Sequence, residues 1–332
     1  MGLFTYTIAG GGFILIGAWE SIISTSEILV QTPSSPPLTR QQNNKLAAET
    51  MTPFSSSVTF GSIFVLAFLF IINSLISLSD ALNTKDNTGF VLQLEVITIS
   101  LLFLLYSLLG FFTHLKNSFR FPLIILNLIY LFAFGEEFLL FYMQKKDPSG
   151  IENRYYDLFL VPITICIFST ILELKNSKSI YARLGRGIGL VLQGMWILQM
   201  GFSFYSNLVA HGCDLHEKSR GNYTVKCKGH PEYHRGRAIA TLQFNCHLAL
   251  LVTLIVGIYS IICKKHGISR EFMLYRPLGD GGEMKQFDNQ AQFTLDTDED
   301  EEGNEIKEVR DVEMQKATVA VPESGVNGYG TH

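Results

Sequence analysis

Glu95, Glu136, Glu137, Asp157, Gln243, Asn245 and His247 are ionisable or amide side chains set in strongly apolar stretches. A carboxylate in hydrocarbon is expensive, so it turns toward a partner, a cavity or an ion. A carboxylate beside a histidine can hold a proton or a divalent cation. The competing reading is a hydrogen-bond network that only fixes helix packing. Glu136 and Glu137 are adjacent, so on a helix they point about 100° apart. One therefore faces the bundle and the other a neighbour or the headgroups. Glu20 and Glu173 fall outside this group.

A second set lies in a polar stretch before the last apolar run: His211, Cys213, His216, Cys227, His230 and His234. The spacings Cys227 to His230 and His230 to His234 suit zinc, with His247 a further candidate metal ligand. The same two sulfurs could instead pair, and outside the cytosol a Cys213–Cys227 disulfide is the preferred use. Asn222-Tyr-Thr is an N-x-[ST] glycosylation sequon. Thr294 and Thr297 adjoin an acidic run and are candidate phosphorylation sites.

Long apolar helices must position these groups. The chain has 332 residues, 47% hydrophobic and only 17% charged, where a soluble domain carries about a quarter charged. The run Ile188–Tyr205 is uncharged and about long enough to cross a ~30 Å core. Its polar residues Gln193 and Gln199, with Trp196 between them, are expected to face other helices. Similar runs cover Leu3–Val30, Ser57–Leu78, Phe90–Phe112, Phe121–Met143, Tyr155–Leu174 and Ala238–Cys263. The fold expected is an all-α membrane protein: a bundle of seven transmembrane helices over residues 1–263, then a disordered acidic tail over 264–332. Gln31–Ser55 and 209–237 read as polar loops, and Lys175 to Arg186 as a basic connection.

From Leu278 onward there are 14 acidic and 4 basic residues, and the rest of the chain holds 16 acidic and 22 basic. A basic membrane body with an acidic tail needs no nucleic-acid partner. The lipid bilayer is the expected partner, with protein partners engaged through the tail. Lys/Arg asymmetry does not decide the orientation. The sequon and the cysteine pair put loop 209–237 outside or in a lumen, with the N-terminus, and the C-terminus in the cytosol. The membrane is a plasma membrane or an endomembrane. On that topology the first group of polar residues gathers in the outer leaflet, Glu95 lying ~8 Å deep.

Three segments carry a resemblance: Leu190-Val-Leu-Gln-Gly-Met-Trp-Ile-Leu-Gln-Met-Gly-Phe202, Glu137-Phe-Leu-Leu-Phe-Tyr142 and Asn245-Cys-His-Leu-Ala-Leu250. With them the chain resembles the transmembrane-protein-45 family, also called domain of unknown function 716. Gly221-Asn-Tyr-Thr-Val-Lys-Cys-Lys-Gly-His230 resembles its plant viral-response branch. The positions carried over are Glu137, Gln193, Trp196, Gln199 and His247. Relatives often place histidines after the Phe-Tyr of the fourth span; here Met143-Gln144-Lys145-Lys146 follow. The resemblance implies a non-enzymatic role in stress or pathogen response, or in membrane trafficking. The residues themselves also suggest a proton- or divalent-metal-linked transporter. An intramembrane zinc hydrolase needs about three protein ligands, and only His247 lies deep.

Overall fold

The computed structural model describes residues 2–31, 38–115, 121–144, 147, 149–177, 179–206 and 212–265. Thr294, Thr297 and the acidic run beside them lie outside these residues. The helices are α1 (Leu3–Gln31), α2 (Leu38–Asn83), α3 (Asn87–Leu115), α4 (Leu123–Met143), α5 (Glu152–Lys175), α6 (Ile180–Tyr205) and α7 (His230–Lys265). Between α6 and α7 stand two strands, β1 (Cys213–Ser219) and β2 (Asn222–Cys227). Among the described residues, seven helices are long and apolar enough to cross a membrane. The protein is therefore an all-α, multi-pass membrane protein.

Three boundaries differ from the sequence expectation. The polar stretch before the second span is helical from Leu38 onward, because beyond Pro37 it carries good helix formers such as Lys45-Leu-Ala-Ala-Glu49. The Lys175–Arg186 connection is short. Ser179 caps α6 by accepting from the Ala182 N–H at 3.4 Å, so Arg183 and Arg186 lie in its first two turns. The 209–237 loop contains a hairpin, and α7 begins at His230 rather than Ala238.

α6 is the central helix: 67% of an apolar 18-residue window within it is buried, against 11% in α7. Its closest neighbour is α1, and glycines set the approach. A Cβ on Gly194 would lie 2.5 Å from the Gly10 carbonyl oxygen, and one on Gly17 would lie 2.6 Å from that of Gly187. Seven-residue spacing on both helices repeats the approach two turns apart, the small-residue packing that membrane helices use in place of a hydrophobic drive. Pro162 lies inside α5. It offers no N–H, so the Leu158 carbonyl loses its helical partner. Large apolar side chains stay exposed on the outer faces, among them Leu15, Phe68, Phe132 and Phe168, where lipid covers them.

The hairpin closes one end of the bundle. Its strands pair antiparallel from Cys213 opposite Cys227 to Ser219 opposite Asn222. Gly221 turns the chain at φ 92°, where a side chain would strain. Cys213 and Cys227 are joined by a disulfide, so these sulfurs are not available as zinc thiolates. The strands were not legible as such, because β1 reads Cys-Asp-Leu-His-Glu-Lys-Ser and carries one aliphatic residue.

Candidate functional site

A cavity of about 170 Å³ lies between α1 and α6, walled by α2 to α5 and roofed by Gly221 and Tyr223 of the hairpin. Its wall is mostly apolar, with Phe13, Ile63, Phe70 and Met200 among the lining residues. Among its polar lining residues are Glu137 from α4, Gln93 from α3, and Gln144 just beyond the end of α4. Glu137 is 7% exposed and Gln93 2%. Glu137 Oε1 accepts from Gln193 Nε2. Glu137 Oε2, Gln93 Oε1 and Gln144 Oε1 are buried without a hydrogen-bond partner. Leaving such atoms unmade costs about 1–3 kcal/mol each, more when charged.

At the roof, the phenols of Tyr6, Tyr156 and Tyr223 meet. Tyr156 donates to the Tyr223 oxygen at 3.2 Å, and Tyr223 also contacts Tyr6. Burial pushes the Tyr223 phenol well above its usual range, so it remains neutral. At the floor, Tyr106 and Tyr130 stack at 4.2 Å, and Phe103 packs edge-on to Tyr130 at 5.8 Å. Below this aromatic layer Arg186 is buried, ion-paired with Glu20 of α1 and Glu173 of α5. Its guanidinium lies 5.1 Å from the Tyr130 ring centre. Arg183 pairs with Glu27 farther along the same two helices.

The hairpin is held by acids at the ends of the helices. Asp86, in the turn between α2 and α3, accepts from Ser219 Oγ at 2.6 Å and from Asn222 Nδ2. Lys218 Nζ lies 3.7 Å from its other oxygen. Asp80 accepts from the Arg220 N–H at 2.9 Å. Glu152 accepts from Thr224 Oγ1 at 2.7 Å and from the Val225 N–H at 2.8 Å. Asp147 sits 3.3 Å from Lys226, and hydrogen bonds from Ser149 hold its carboxyl below the usual range.

Burial opposes ionisation of Asp86. Its hydrogen bonds from Ser219, Asn222 and the Gly89 backbone, with the Lys218 charge, outweigh that and lower the carboxyl from 3.8 to about 2. A group whose folded value is depressed contributes stability above its ordinary value and loses it as pH falls through the folded one. Thermal unfolding of the wild type should therefore hold its midpoint down to about pH 4 and drop toward pH 2. Asp86→Asn should lower the midpoint at pH 7 and flatten that acid limb. An acid limb identical in both proteins would contradict the anchoring role of Asp86.

The other sequence-marked residues divide by position. Glu95 and Glu136 are half-buried and within electrostatic range of each other, but neither lines the cavity. Asp157 is also half-buried and off the lining. Gln243 accepts from the Tyr155 hydroxyl at 3.0 Å. His247 Nδ1 bonds the Gln243 carbonyl at 2.7 Å, and its ring packs edge-on to Trp196 at 6.0 Å. Asn245 is exposed on α7. Trp196 is fully buried and donates to the Tyr155 carbonyl at 2.9 Å. Gln199 bonds Ser203 of its own helix at 3.0 Å.

His230 and His234 face each other with their Nε2 atoms 3.3 Å apart. His247 lies 13 residues further along α7, about 20 Å away, so the three do not converge. Among the described residues no group of three or more His, Cys, Asp or Glu is placed to hold a metal ion. Asn222 is 7% exposed and its Nδ2 is committed to Asp86. A glycan on that nitrogen would have to displace the bond that seats the turn.

Residues 123–260 match the family of unknown function DUF716. That stretch runs from the start of α4 through the hairpin and most of α7, and it supports the DUF716 part of the resemblance. No curated protein matches the chain. The DUF716 stretch supplies Glu137, Gln144, Tyr156, Arg186 and Tyr223. α1 and α3 supply Tyr6, Glu20 and Gln93 from outside it. In the sequence Glu20 lies inside the first span and Glu173 near the end of the fifth, both outside the first polar group, while Arg186 reads as part of the basic connection. Their available signal was one cation and two anions set in apolar segments at the same end of adjacent spans.

Proposed function

We propose that this protein is a non-enzymatic membrane protein that holds a small, largely apolar molecule with a polar group inside its bundle. Its role lies in stress or pathogen response or in membrane trafficking, as the resemblance implies, through protein partners engaged by its C-terminal segment. In this reading the hairpin and the N-terminus face the exterior or a lumen, and the C-terminus faces the cytosol. The Cys213–Cys227 disulfide supports that orientation, since such bonds persist in oxidising compartments. The observation that carries the binding reading is Glu137, a buried carboxylate facing an apolar cavity with one oxygen unpartnered. A bundle built only for packing gains nothing from such an atom, and a ligand would satisfy it.

The test is thermal unfolding of the purified protein in lipid nanodiscs, titrated with ethylbenzene. A ligand that binds only the folded state raises the midpoint saturably. Wild type should show that rise. Ala67→Phe, which puts a ring into the cavity from α2, should remove it while leaving export intact. A response that never saturates, or one equal in both proteins, would defeat the reading.

The same carboxylate favours a second reading, a proton-linked transporter. It would require the cavity to open alternately past the hairpin roof and the aromatic floor. Proton flux into proteoliposomes that vanishes in Glu137→Gln would support it; no flux in wild type would dismiss it. A divalent-metal version draws on one cavity carboxylate, Glu137, with Glu95, Glu136, Asp157 and His247 placed elsewhere.

A further inference from the structure

The cavity's unpartnered polar atoms are all of one kind. Glu137 Oε2, Gln93 Oε1 and Gln144 Oε1 are acceptors, buried, and they belong to residues lining the same space. A ligand that completes this site must bring hydrogens. A carboxylate or a phosphate would bring a second acid group against Glu137, whereas the amides of Gln93 and Gln144 can also donate. Glu137 has a single hydrogen-bonding partner among the described residues, the neutral amide of Gln193. Among the described residues the ion pairs between helices lie elsewhere, Arg186 with Glu20 and Glu173, and Arg183 with Glu27. An incoming cation would therefore meet a carboxylate without a protein counter-charge.

Size narrows the class further. A cavity of about 150 Å³ lined by Leu, Ile and Phe holds benzene, and this one is about 170 Å³. One ring with a short side chain matches that volume. The apolar wall, with Phe13, Phe70, Ile63 and Met200, suits the ring. From these observations we infer that the cavity is selective for a one-ring amphiphile bearing a hydrogen-bond donor, a primary ammonium first and a hydroxyl second, whose head meets Glu137 and Gln93. This rests on the binding reading above and adds the chemistry of the ligand.

Four probes of nearly equal size test it on the full chain in nanodiscs: 2-phenylethylamine, 4-ethylphenol, ethylbenzene and phenylacetate. Apparent affinities come from the saturable shift in unfolding midpoint, with Ala67→Phe as the baseline. A hydrogen bond to a charged group is worth enough for about a tenfold gain or more. The amine should therefore bind at least about tenfold tighter than ethylbenzene, the phenol between them, and phenylacetate weakest. The amine-to-ethylbenzene ratio should collapse toward one in Glu137→Gln, which keeps the shape and the bond to Gln193. It should fall partway in Gln93→Leu. Saturable ethylbenzene binding with no preference for the amine, or a ratio untouched by either substitution, overturns this inference and leaves the binding reading standing. If none of the four probes shifts wild type beyond Ala67→Phe, both readings fall together.

Discussion

Replacing Arg186 with methionine should leave little folded protein. Arg186 is 4% exposed and bridges Glu20 of α1 to Glu173 of α5, themselves 7% and 5% exposed. Removing one member of a buried charge set strands the others without compensation, at about 3–5 kcal/mol. That is a large part of the 5–15 kcal/mol by which folded proteins are ordinarily stable. Two buried carboxylates would then face each other with no cation. The penalty comes from the orphaned charges, so neutralising them should relieve it. The triple variant Arg186→Met, Glu20→Gln, Glu173→Gln should regain most of the lost stability, because exchanging a whole buried set for neutral groups is often close to neutral. Denaturant unfolding in detergent measures both variants. A single variant as stable as wild type, or a triple variant no better than the single one, would refute the account of this trio.

The second large effect is expected at the α1–α6 seam. A Cβ on Gly194 would meet backbone, the Gly10 oxygen at 2.5 Å and the Ile14 nitrogen at 2.7 Å. Backbone cannot swing aside as a side-chain end can, so the helices must separate. Overpacking of this kind costs about 1–3 kcal/mol, occasionally more. Gly194→Ala should fall in that range and Gly194→Leu beyond it. Gly11, one residue from Gly10, supplies the control, because nothing lies within 4 Å of a Cβ placed there. Gly11→Ala should be neutral or slightly stabilising, as alanine is preferred to glycine in a helix by about 0.5–1 kcal/mol. Equal effects at Gly11 and Gly194 would show that the seam does not depend on backbone approach.

The pattern of these effects explains what the amino-acid sequence disclosed. Seven spans were legible because each is a long apolar run, and a membrane leaves a helix few alternatives. Where a charge sits inside a helix end, the reading broke down. Arg186 looked like part of a connection, yet it lies in the second turn of α6, neutralised by residues 166 and 13 positions away. In the Gly10-Gly-Gly12 run, only helix rotation decides that Gly10 meets α6, Gly12 meets Leu66 of α2, and Gly11 meets open space. The same limit applied to the polar groups. Glu137 and Glu136 are adjacent, and which of them enters the cavity follows from the phase of α4. Gln93 and Gln144 carried no signal at all, since a lone amide near a helix end is ordinary until its neighbours are known.

The hairpin was missed for a different reason. Its strands bury a short apolar face, Cys213, Tyr223 and Val225, and are anchored by acids supplied by other elements. The alternation Tyr223, Val225, Cys227 in β2 is too short to stand out beside the polar β1. Asp80 and Asp86 at the α2–α3 turn and Glu152 at the start of α5 converge on the seven residues Ser219–Val225 of β1, the turn and β2. This convergence also ties the roof of the cavity to the ends of α2, α3 and α5, so the site and the fold share the same bonds.

The space beneath this roof exists to be filled. Mass spectrometry of the solvent extract from the full chain, purified in nanodiscs from its native membrane, tests this most directly, with Ala67→Phe prepared in parallel. The expected result is a one-ring compound bearing an amine or hydroxyl, enriched in the wild-type extract over the Ala67→Phe extract and displaced by added 2-phenylethylamine. Identical extracts from two equally well-folded proteins, before and after the amine, would contradict it and leave Glu137 as a packing residue.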